Sequence, residues 1–280
     1  MYNRQKPPLA CSRFYLKIYI VTKTDLFFKR GAAKIACMAT KIYLTSFKGG
    51  TGVTSFCIGL GLALAELGER TLIVDGDTLS GGAILAGGLS NMQVYTLADY
   101  EKGACRAKQT LIPHAQTANL CFMPSIGLKN AEAANRAVAD VEGLFDFILA
   151  DKTAKESCDR AIIVTEPFLP SVKSADCCRN ALADGGFKDI GLVVNKICGG
   201  QILNGEIMTA QEIAAVLHLP LTAVIPEDLT LSAGKYRNAT IKAFKLAAAA
   251  VCGKKEGTCN VIAKYAGLGG YIKRKLREKV

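Results

Sequence analysis

The segment 42–64 constrains the fold of this chain more than any other stretch. The apolar run Ile42-Tyr43-Leu44 is followed by the glycine-rich turn Ser46-Phe47-Lys48-Gly49-Gly50-Thr51-Gly52-Val53-Thr54-Ser55, and then by an apolar stretch over 56–64. This order predicts a buried strand, a tight turn and a helix. Glycines let the backbone wrap closely around phosphate oxygens, and the free N–H groups at a helix N-terminus attract anions. The turn is therefore predicted to be a phosphate-binding loop, called here the P-loop (residues 46–55).

The P-loop departs from the usual pattern at one position. Thr54 stands where a hydroxyl would coordinate Mg²⁺, but the residue before it, normally a lysine that reaches the β- and γ-phosphates, is Val53. Lys48 is the only lysine left in the loop. Because the missing lysine neutralises charge that develops during phosphoryl transfer, we expect weaker nucleotide binding and a larger loss of hydrolysis.

The lysine at the start of Lys48-Gly-Gly-Thr-Gly52 resembles the deviant Walker A loop of the MinD/ParA family of P-loop ATPases, and the chain is most similar to the MinD branch. The resemblance implies that Lys48 is catalytic and reaches the nucleotide of a partner subunit across an ATP-dependent dimer. It also implies that ATP or ADP is bound by the loop residues, with Mg²⁺ on Thr54. These nucleotide-binding residues are Lys48, Gly49, Gly50, Thr51, Gly52, Val53, Thr54 and Ser55.

Four further segments resemble the family's motifs in the family's order. The strand over 71–74 ends in Asp75 and Asp77, which resemble residues that organise Mg²⁺ and orient the attacking water, respectively. The strand over 145–150 ends in Asp151, which resembles the Walker B carboxylate. The two Asp metal contacts, Asp75 and Asp151, are expected to act through water. Asn195 and Pro226 resemble the adenine contacts. Taken alone, each of these residues fits a solvated turn as well as a binding site. The resemblance rests on their occurring together, in the family's order, at the ends of strands.

The remaining chain alternates between strand and helix patterns. With 50% hydrophobic residues over 280 positions, it can bury a substantial core. The pattern predicts an α/β fold with a doubly wound, mostly parallel sheet and helices on both faces. The predicted strands are 42–47, 70–75, 119–123, 145–150, 161–165, 190–195 and 222–225. The predicted helices are 54–67, 131–142, 172–183, 209–217 and 240–251.

The net charge of +11 is concentrated at the two ends of the chain. Residues 1–37 carry eight Lys/Arg and one Asp, and residues 271–280 carry five Lys/Arg and one Glu, so the remainder is neutral. We therefore predict a basic N-terminal extension (1–37), a MinD/ParA-like domain (38–265) and a basic C-terminal tail (266–280). The extension is interpreted as a disordered arm or a mis-assigned start, with a functional module or targeting segment as alternatives.

The C-terminal tail has the pattern of a short amphipathic helix. Ile272 and Leu276 fall on one face, and Lys273, Arg274 and Arg277 supply cations. Such a helix can bind an anionic membrane surface, and the tail resembles the membrane-targeting helix of the family. A solvated charged tail is the alternative.

The cysteines, the histidines and the lengths of the apolar runs indicate the cellular compartment. The 11 cysteines include no Cys-x-x-Cys pair, which fits reduced thiols in a cytosol, and the two histidines are isolated. No run of about 18 apolar residues occurs, so no membrane-spanning helix is predicted. We therefore expect a cytoplasmic protein with peripheral association with the inner face of the cell membrane.

Three functions remain open from the sequence. The first is a MinD-like ATPase that dimerises, binds an unidentified protein partner and positions the division site or related machinery. The second is a pseudo-ATPase that senses nucleotide or binds protein without turnover, favoured by Val53 and by the short connection after Asp151. The third is a ParA-type DNA partitioning protein. The neutral balance of residues 38–270 argues against nucleic acid as a partner.

Overall fold

The structure of the protein is a computed structural model, which describes residues 38–79, 95–230, 236–254 and 256–265. The described part contains one eight-stranded sheet in the order β3-β4-β2-β5-β1-β6-β7-β8, in which only β3 runs antiparallel to its neighbour. The strands are β1 (Thr40–Thr45), β2 (Thr71–Asp75), β3 (Ile112–Pro113), β4 (Leu120–Pro124), β5 (Phe147–Asp151), β6 (Arg160–Thr165), β7 (Asp189–Ile197) and β8 (Leu221–Pro226). This confirms the predicted α/β class.

Helices cover both faces of the sheet. They are α1 (Val53–Glu66), α2 (Leu97–Glu101), α3 (Ala131–Val141), α4 (Leu169–Asp184), α5 (Gly199–Leu203), α6 (Ala210–Leu217) and α7 (Asn238–Val251). Short 3₁₀ turns lie at Ala107–Thr110, Glu142–Leu144, Lys155–Ser157 and Ala263–Tyr265. Helices α1 and α7 pack on one face of the sheet, and α3, α4 and α6 pack on the other.

The central strands form because they are apolar on both faces. All five residues of β2, of β4 and of β5 are buried, as expected for parallel strands between two helical layers. Helix α1 lies close to α7 because Gly59 makes room for the ring of Phe244. A Cβ at Gly59 would lie only 2.3 Å from that ring. This contact positions α1, the helix that follows the P-loop, against α7.

The predicted elements match the observed ones to within a few residues. Helix α4 begins at Leu169, three residues before the predicted start, because Pro170 is accommodated in its first turn. The sequence pattern missed α2, α5 and the two-residue strand β3, all of which are too short to show a period. The basic segments 1–37 and 266–280 lie outside the described residues, so the predicted division of the chain stays a prediction.

The connection between β5 and β6 contains no α-helix. Residues 152–159 run back along β1, with Lys152 N donating to the Leu44 carbonyl and Asp159 N donating to the Lys41 carbonyl. Lys152 and Ala154 adopt left-handed backbone conformations, with φ of 57° and 48°. Parallel crossovers usually need a dozen or more residues and a helix. The connection over 152–159 is shorter than this and contains no α-helix, so the short connection predicted after Asp151 is observed.

Among the helices that the structure describes, none is both long enough and apolar enough to cross a membrane.

Candidate nucleotide site

The P-loop lies at the carboxyl edge of the sheet and is fastened on two sides. The Thr54 hydroxyl donates a 2.6 Å hydrogen bond to Asp151 Oδ2, at the end of β5. The Asn195 amide, near the end of β7, donates a 2.8 Å hydrogen bond to the Thr51 carbonyl. Gly52 has a φ of +88° and its missing side chain leaves room for the Asn195 amide, since a Cβ there would lie 2.4 Å from Nδ2. Residues far apart in sequence thus hold one loop in place.

Asp151 is a buried carboxylate with one oxygen that accepts no hydrogen bond from the described residues. Its Oδ2 accepts the Thr54 hydroxyl, whereas Oδ1 is buried and accepts no hydrogen bond from the residues that the structure describes. The Lys152 ammonium lies 3.9 Å from Oδ1. Burial raises the pKa of Asp151, and the Thr54 hydrogen bond only partly opposes the rise. A cation near Oδ1 would stabilise the ionised form.

Asp75 and Asp77 follow the neighbouring strand β2. Asp75 lies beside Asp151 in the sheet register and is fully buried, and its Oδ1 accepts the Asp77 N–H at 3.0 Å. Gly76 makes this approach possible, because a Cβ there would lie 2.1 Å from the Asp151 carbonyl oxygen. Asp77 Oδ1 accepts the Leu79 N–H at 3.0 Å and so shapes the turn that follows. The structure brings all three predicted carboxylates to one edge.

These residues fit a hydrated Mg²⁺ better than a metal held by protein ligands alone. Within the described ranges, no three His, Cys, Asp or Glu side chains converge to form a cation cage. Mg²⁺ commonly keeps several waters and binds through one or two carboxylates together with nucleotide phosphates. The unsatisfied Oδ1 of Asp151 and the adjacent Thr54 hydroxyl suit that mode.

Lys48 is held within its own subunit by a polar cluster around Glu166 that the sequence reasoning missed. Its ammonium donates 2.8 Å hydrogen bonds to Glu166 Oε2 and to the Ser171 hydroxyl. Lys196 donates to the other oxygen of Glu166, also at 2.8 Å, and to the Gly50 carbonyl of the P-loop. We call Lys48, Glu166, Ser171 and Lys196 the lysine clasp.

The clasp sets the charge state of Glu166. Burial alone would raise the pKa of this carboxyl, but hydrogen bonds from Lys196 and Lys48 outweigh burial and lower it. Glu166 is therefore ionised at neutral pH. A signal for it exists in the sequence, since Glu166 directly follows β6 and carboxyl ends of strands are where ligands bind.

Val53 contributes to the core. It is the first residue of α1, is 3% exposed and belongs to the apolar cluster beneath that helix. Its side chain offers no donor for a phosphate. The neighbouring predicted residue Ser55 is exposed on the first turn of α1.

At the other end of the site, Asp228 fixes the loop after β8. Its carboxylate accepts hydrogen bonds from the backbone and hydroxyl of Thr230, from the backbone of Arg237 and from the Thr240 hydroxyl. Burial alone would raise the pKa of Asp228, but these hydrogen bonds outweigh it and lower the pKa to about 2. Pro226, the last residue of β8, lies at the start of this anchored loop.

The two lysines after β5 differ in position. Lys152 lies near Asp151, as given above, whereas the Lys155 ammonium lies 5.9 Å from the ring centroid of Phe187. Of these two lysines, Lys152 is therefore the one that adds positive charge beside Asp151. The predicted membrane residues Ile272, Lys273, Arg274, Leu276 and Arg277 lie outside the described residues.

The CbiA family, described as the CobQ/CobB/MinD/ParA nucleotide binding domain, matches residues 42–241. The chain belongs to this family. Among members of the CobQ/CobB/MinD/ParA family, it is 32% identical over 209 residues to a putative septum site-determining protein MinD of Guillardia theta, covering 68% of this chain and 76% of the relative. It is also 32% identical over 207 residues to septum site-determining protein MinD of Thermotoga maritima, with the same two coverages.

Solved structures of the same family share the fold. A chain of the MinC:MinD cell division protein complex of Aquifex aeolicus has a TM-score of 0.73 at 24% identity, covering 78% of this chain and 98% of that one. Septum site-determining MinD of Pyrococcus horikoshii, solved with Mg-ADP, has a TM-score of 0.67 at 25% identity, covering 76% and 96%. The predicted family resemblance is thus confirmed.

Proposed function

We propose that this chain is an adenine-nucleotide switch of the MinD type that takes part in placing the division septum. The proposal depends on one observation: the P-loop is hydrogen-bonded on one side to Asp151 and on the other to Asn195. One contact lies where a metal would sit and the other where a base would sit, so the loop is arranged for both ends of a nucleotide. The MinD relatives and the solved Mg-ADP complex of one of them support this choice of ligand.

In this proposal the site residues have separate roles. Lys48 is the cross-subunit cation and Asp77 orients the attacking water. Thr54 would hold Mg²⁺, and Asp75 and Asp151 would hold it through water. Asn195 and Pro226 contact the adenine. The backbone of the P-loop cradles the phosphates, with the metal supplying positive charge at the phosphate oxygens when bound.

Hydrolysis is proposed to be slow. Val53 places an apolar side chain in the core at the position where a lysine would face the transferred phosphoryl group. A donor aimed at charge that develops in the transition state is worth about 10²–10³ in kcat in comparable cases. Lys152, near Asp151, recovers part of that charge. Binding therefore survives the substitution better than turnover does.

Dimerisation is proposed to release Lys48 from its clasp. The Lys48 side chain is 41% exposed, and ion pairs of this kind contribute about 1 kcal/mol or less, so the pair with Glu166 opens readily. Large apolar side chains are exposed beside it: Phe47 precedes Lys48, and Phe168 and Leu169 precede Ser171. Such an apolar rim favours a second copy of this chain.

The setting proposed for the switch is the cytoplasm, with reversible attachment to the inner face of the membrane through the basic tail. Dimerisation would double the number of tails on one particle and so strengthen weak binding. An unidentified protein partner would read the nucleotide state.

A pseudo-ATPase that binds nucleotide without turnover is the second candidate. The specific observation that favours it is the same buried Val53, together with a crossover after β5 that contains no α-helix. The two candidates share the nucleotide site and differ only in chemistry.

The decisive experiment measures Mg·ATP binding by calorimetry and turnover by phosphate release. It uses the full chain, the variants Lys48→Ala and Val53→Lys, and Lys188→Ala as a matched exposed-lysine control. We expect Mg·ATP binding with slow turnover that Lys48→Ala abolishes and Lys188→Ala leaves unchanged. Turnover should rise at least tenfold in Val53→Lys, since it restores a phosphate-directed cation.

Other results separate the candidates. Binding without turnover in the native chain, with turnover gained in Val53→Lys, would support the pseudo-ATPase. Absence of binding in all four proteins would overturn both. Light scattering with Mg·ATP tests the dimer, with Leu169→Glu expected to stay monomeric and Val216→Glu, an exposed control on α6, expected to dimerise.

A further inference from the structure

A cavity of about 340 Å³ opens beside the carboxyl ends of β7 and β8. One wall comes from the end of β7 and the start of α5, through Cys198 and Gly199. A second comes from Pro226 and Glu227 after β8. These two strand ends are tied together, because the Glu227 N–H donates a 3.0 Å hydrogen bond to the Ile197 carbonyl. The cavity thus lies just beyond the predicted base contacts Asn195 and Pro226.

The third wall comes from a part of the chain that the sequence reasoning left without a role. Residues Cys259–Tyr265, called here the strap, contribute Cys259, Asn260, Val261, Ala263 and Tyr265 to the lining of the cavity. Asn260 Oδ1 accepts the N–H groups of Ile262 and Ala263 at 3.1 Å and fixes the turn at the centre of the strap. Tyr265 is buried, and its hydroxyl lies 3.9 Å from Cys198 Sγ.

The strap fits a notch that only glycine allows. A Cβ on Gly199 would lie 2.1 Å from the Val261 carbonyl oxygen and 3.0 Å from Ile262 Cα. The close contact involves backbone on both sides, so no side-chain rotation could relieve it. The close packing of the strap against α5 therefore leaves no room for a side chain at position 199.

The strap also has open space on its other side. A second cavity of about 360 Å³ is lined by Thr209, Gln211 and Val224 together with strap residues, and both cavities share Ile197, Cys259, Asn260 and Val261. A segment with space on both sides packs less tightly than the core. Its position can therefore respond to whether the first cavity is filled.

We propose that the strap is the outer wall of the base pocket, so that a purine base entering the first cavity is held between Pro226 and the strap. This inference rests on the proposed nucleotide function. The first cavity is of the size of a small-ligand site, and its walls combine apolar side chains with an amide, a carboxylate, a phenol and the guanidinium of Arg237. The strap contributes to affinity for the base and nothing to affinity for the phosphates.

Two variants of the full chain test the strap without altering the P-loop. Gly199→Ala displaces the strap, and Gly143→Ala is its control, since a Cβ at Gly143 meets nothing within 4 Å. Calorimetry with Mg·ATP should give binding about tenfold weaker in Gly199→Ala and unchanged in Gly143→Ala. Binding of inorganic tripolyphosphate with Mg²⁺ should be the same in all three proteins.

A fluorescent reporter keeps the test informative if Gly199→Ala does not fold. The chain contains no tryptophan, so Tyr265→Trp introduces a single one into the strap. Saturating Mg·ATP should shift its emission, whereas Mg²⁺ with tripolyphosphate should not. If calorimetry shows that ATP binds while the emission and the Gly199→Ala affinity stay unchanged, the strap proposal is wrong and the nucleotide function stands. If the native chain binds no ATP, the proposed function itself fails.

Discussion

Asp151 and Asp228 are two buried carboxylates that follow β5 and β8 at the carboxyl edge of the sheet, and their environments move their pKa values in opposite directions. Asp151, at the phosphate end, leaves one oxygen without a hydrogen bond among the described residues, and burial raises its pKa. Asp228, at the base end, accepts four hydrogen bonds that lower its pKa to about 2. The first carboxylate is prepared for a cation that arrives with a ligand, and the second already has all its partners. Opposed shifts of this kind separate ligand-binding groups from structural ones.

We expect the largest effect from a substitution of Asp151, the carboxylate at the phosphate end of the site. Asp151→Asn removes the charge but keeps the shape, so we expect Mg·ATP binding to weaken roughly 10- to 100-fold while the Tm of the ligand-free chain does not fall. The sign follows from linkage: a carboxyl whose pKa is raised by folding loses stability as pH rises through that pKa, so removing its charge costs nothing at pH 7. Calorimetry and thermal melts test this. A large drop in Tm with unchanged binding would reverse the roles of the two carboxylates.

Asp228→Asn should behave in the opposite way. Its lowered pKa contributes stability that is fully present above the unfolded value near 3.8 and is lost as pH falls toward about 2. We expect a loss of about 2 kcal/mol at pH 7, measured by urea unfolding, and a difference from the native chain that shrinks as pH falls below 4. Asp184→Asn, at an exposed helix end, is the control. A constant difference across this range would mean that the carboxylate charge is not what the four donors stabilise.

How much of this site the sequence predicts depends on how local each feature is. The P-loop and the carboxylates after β2 and β5 were predicted because glycine patterns and apolar strands are signals within a few residues. Glu166 was missed because its partner Lys48 lies 118 positions away, and no local pattern encodes a side-chain contact of that separation. The strap was missed for the same reason. The strap sequence shows neither helical nor strand periodicity, and its packing against α5 depends on Gly199, which is distant in sequence.

Gly52→Ala tests whether the two ends of the site are coupled through the P-loop. The new methyl group would displace the Asn195 amide and strain a backbone with φ of +88°, so we expect Mg·ATP binding about tenfold weaker. Gly143→Ala, outside the P-loop, is the control, since a Cβ there meets nothing within 4 Å. Equal affinities in the two variants would show that the Asn195 contact does not link base to phosphate.

The smallest expected effect concerns the lysines after β5. Lys152→Ala should lower turnover only about threefold, because its ammonium is half exposed and 3.9 Å from Asp151 Oδ1. Lys155→Ala should leave turnover unchanged, since its charge lies over Phe187. Phosphate release by the two variants compares them directly, and a larger loss in Lys155→Ala would contradict the placement of these side chains.

The crossover after β5, which contains no α-helix, has a consequence for local unfolding. On one face of β1, Ile42 and Leu44 are fully buried beneath α1, but on the other face Tyr43 is only partly covered by the thin segment 152–159. On that face, the central strand that carries the P-loop is therefore covered by a connection without an α-helix and by the ring of Phe187, which stacks on Tyr43 at a centroid distance of 6.2 Å. Amide hydrogen exchange in β1 should proceed through opening of that segment rather than through global unfolding, so the strand beneath the nucleotide is also the one whose protection a bound nucleotide would change most.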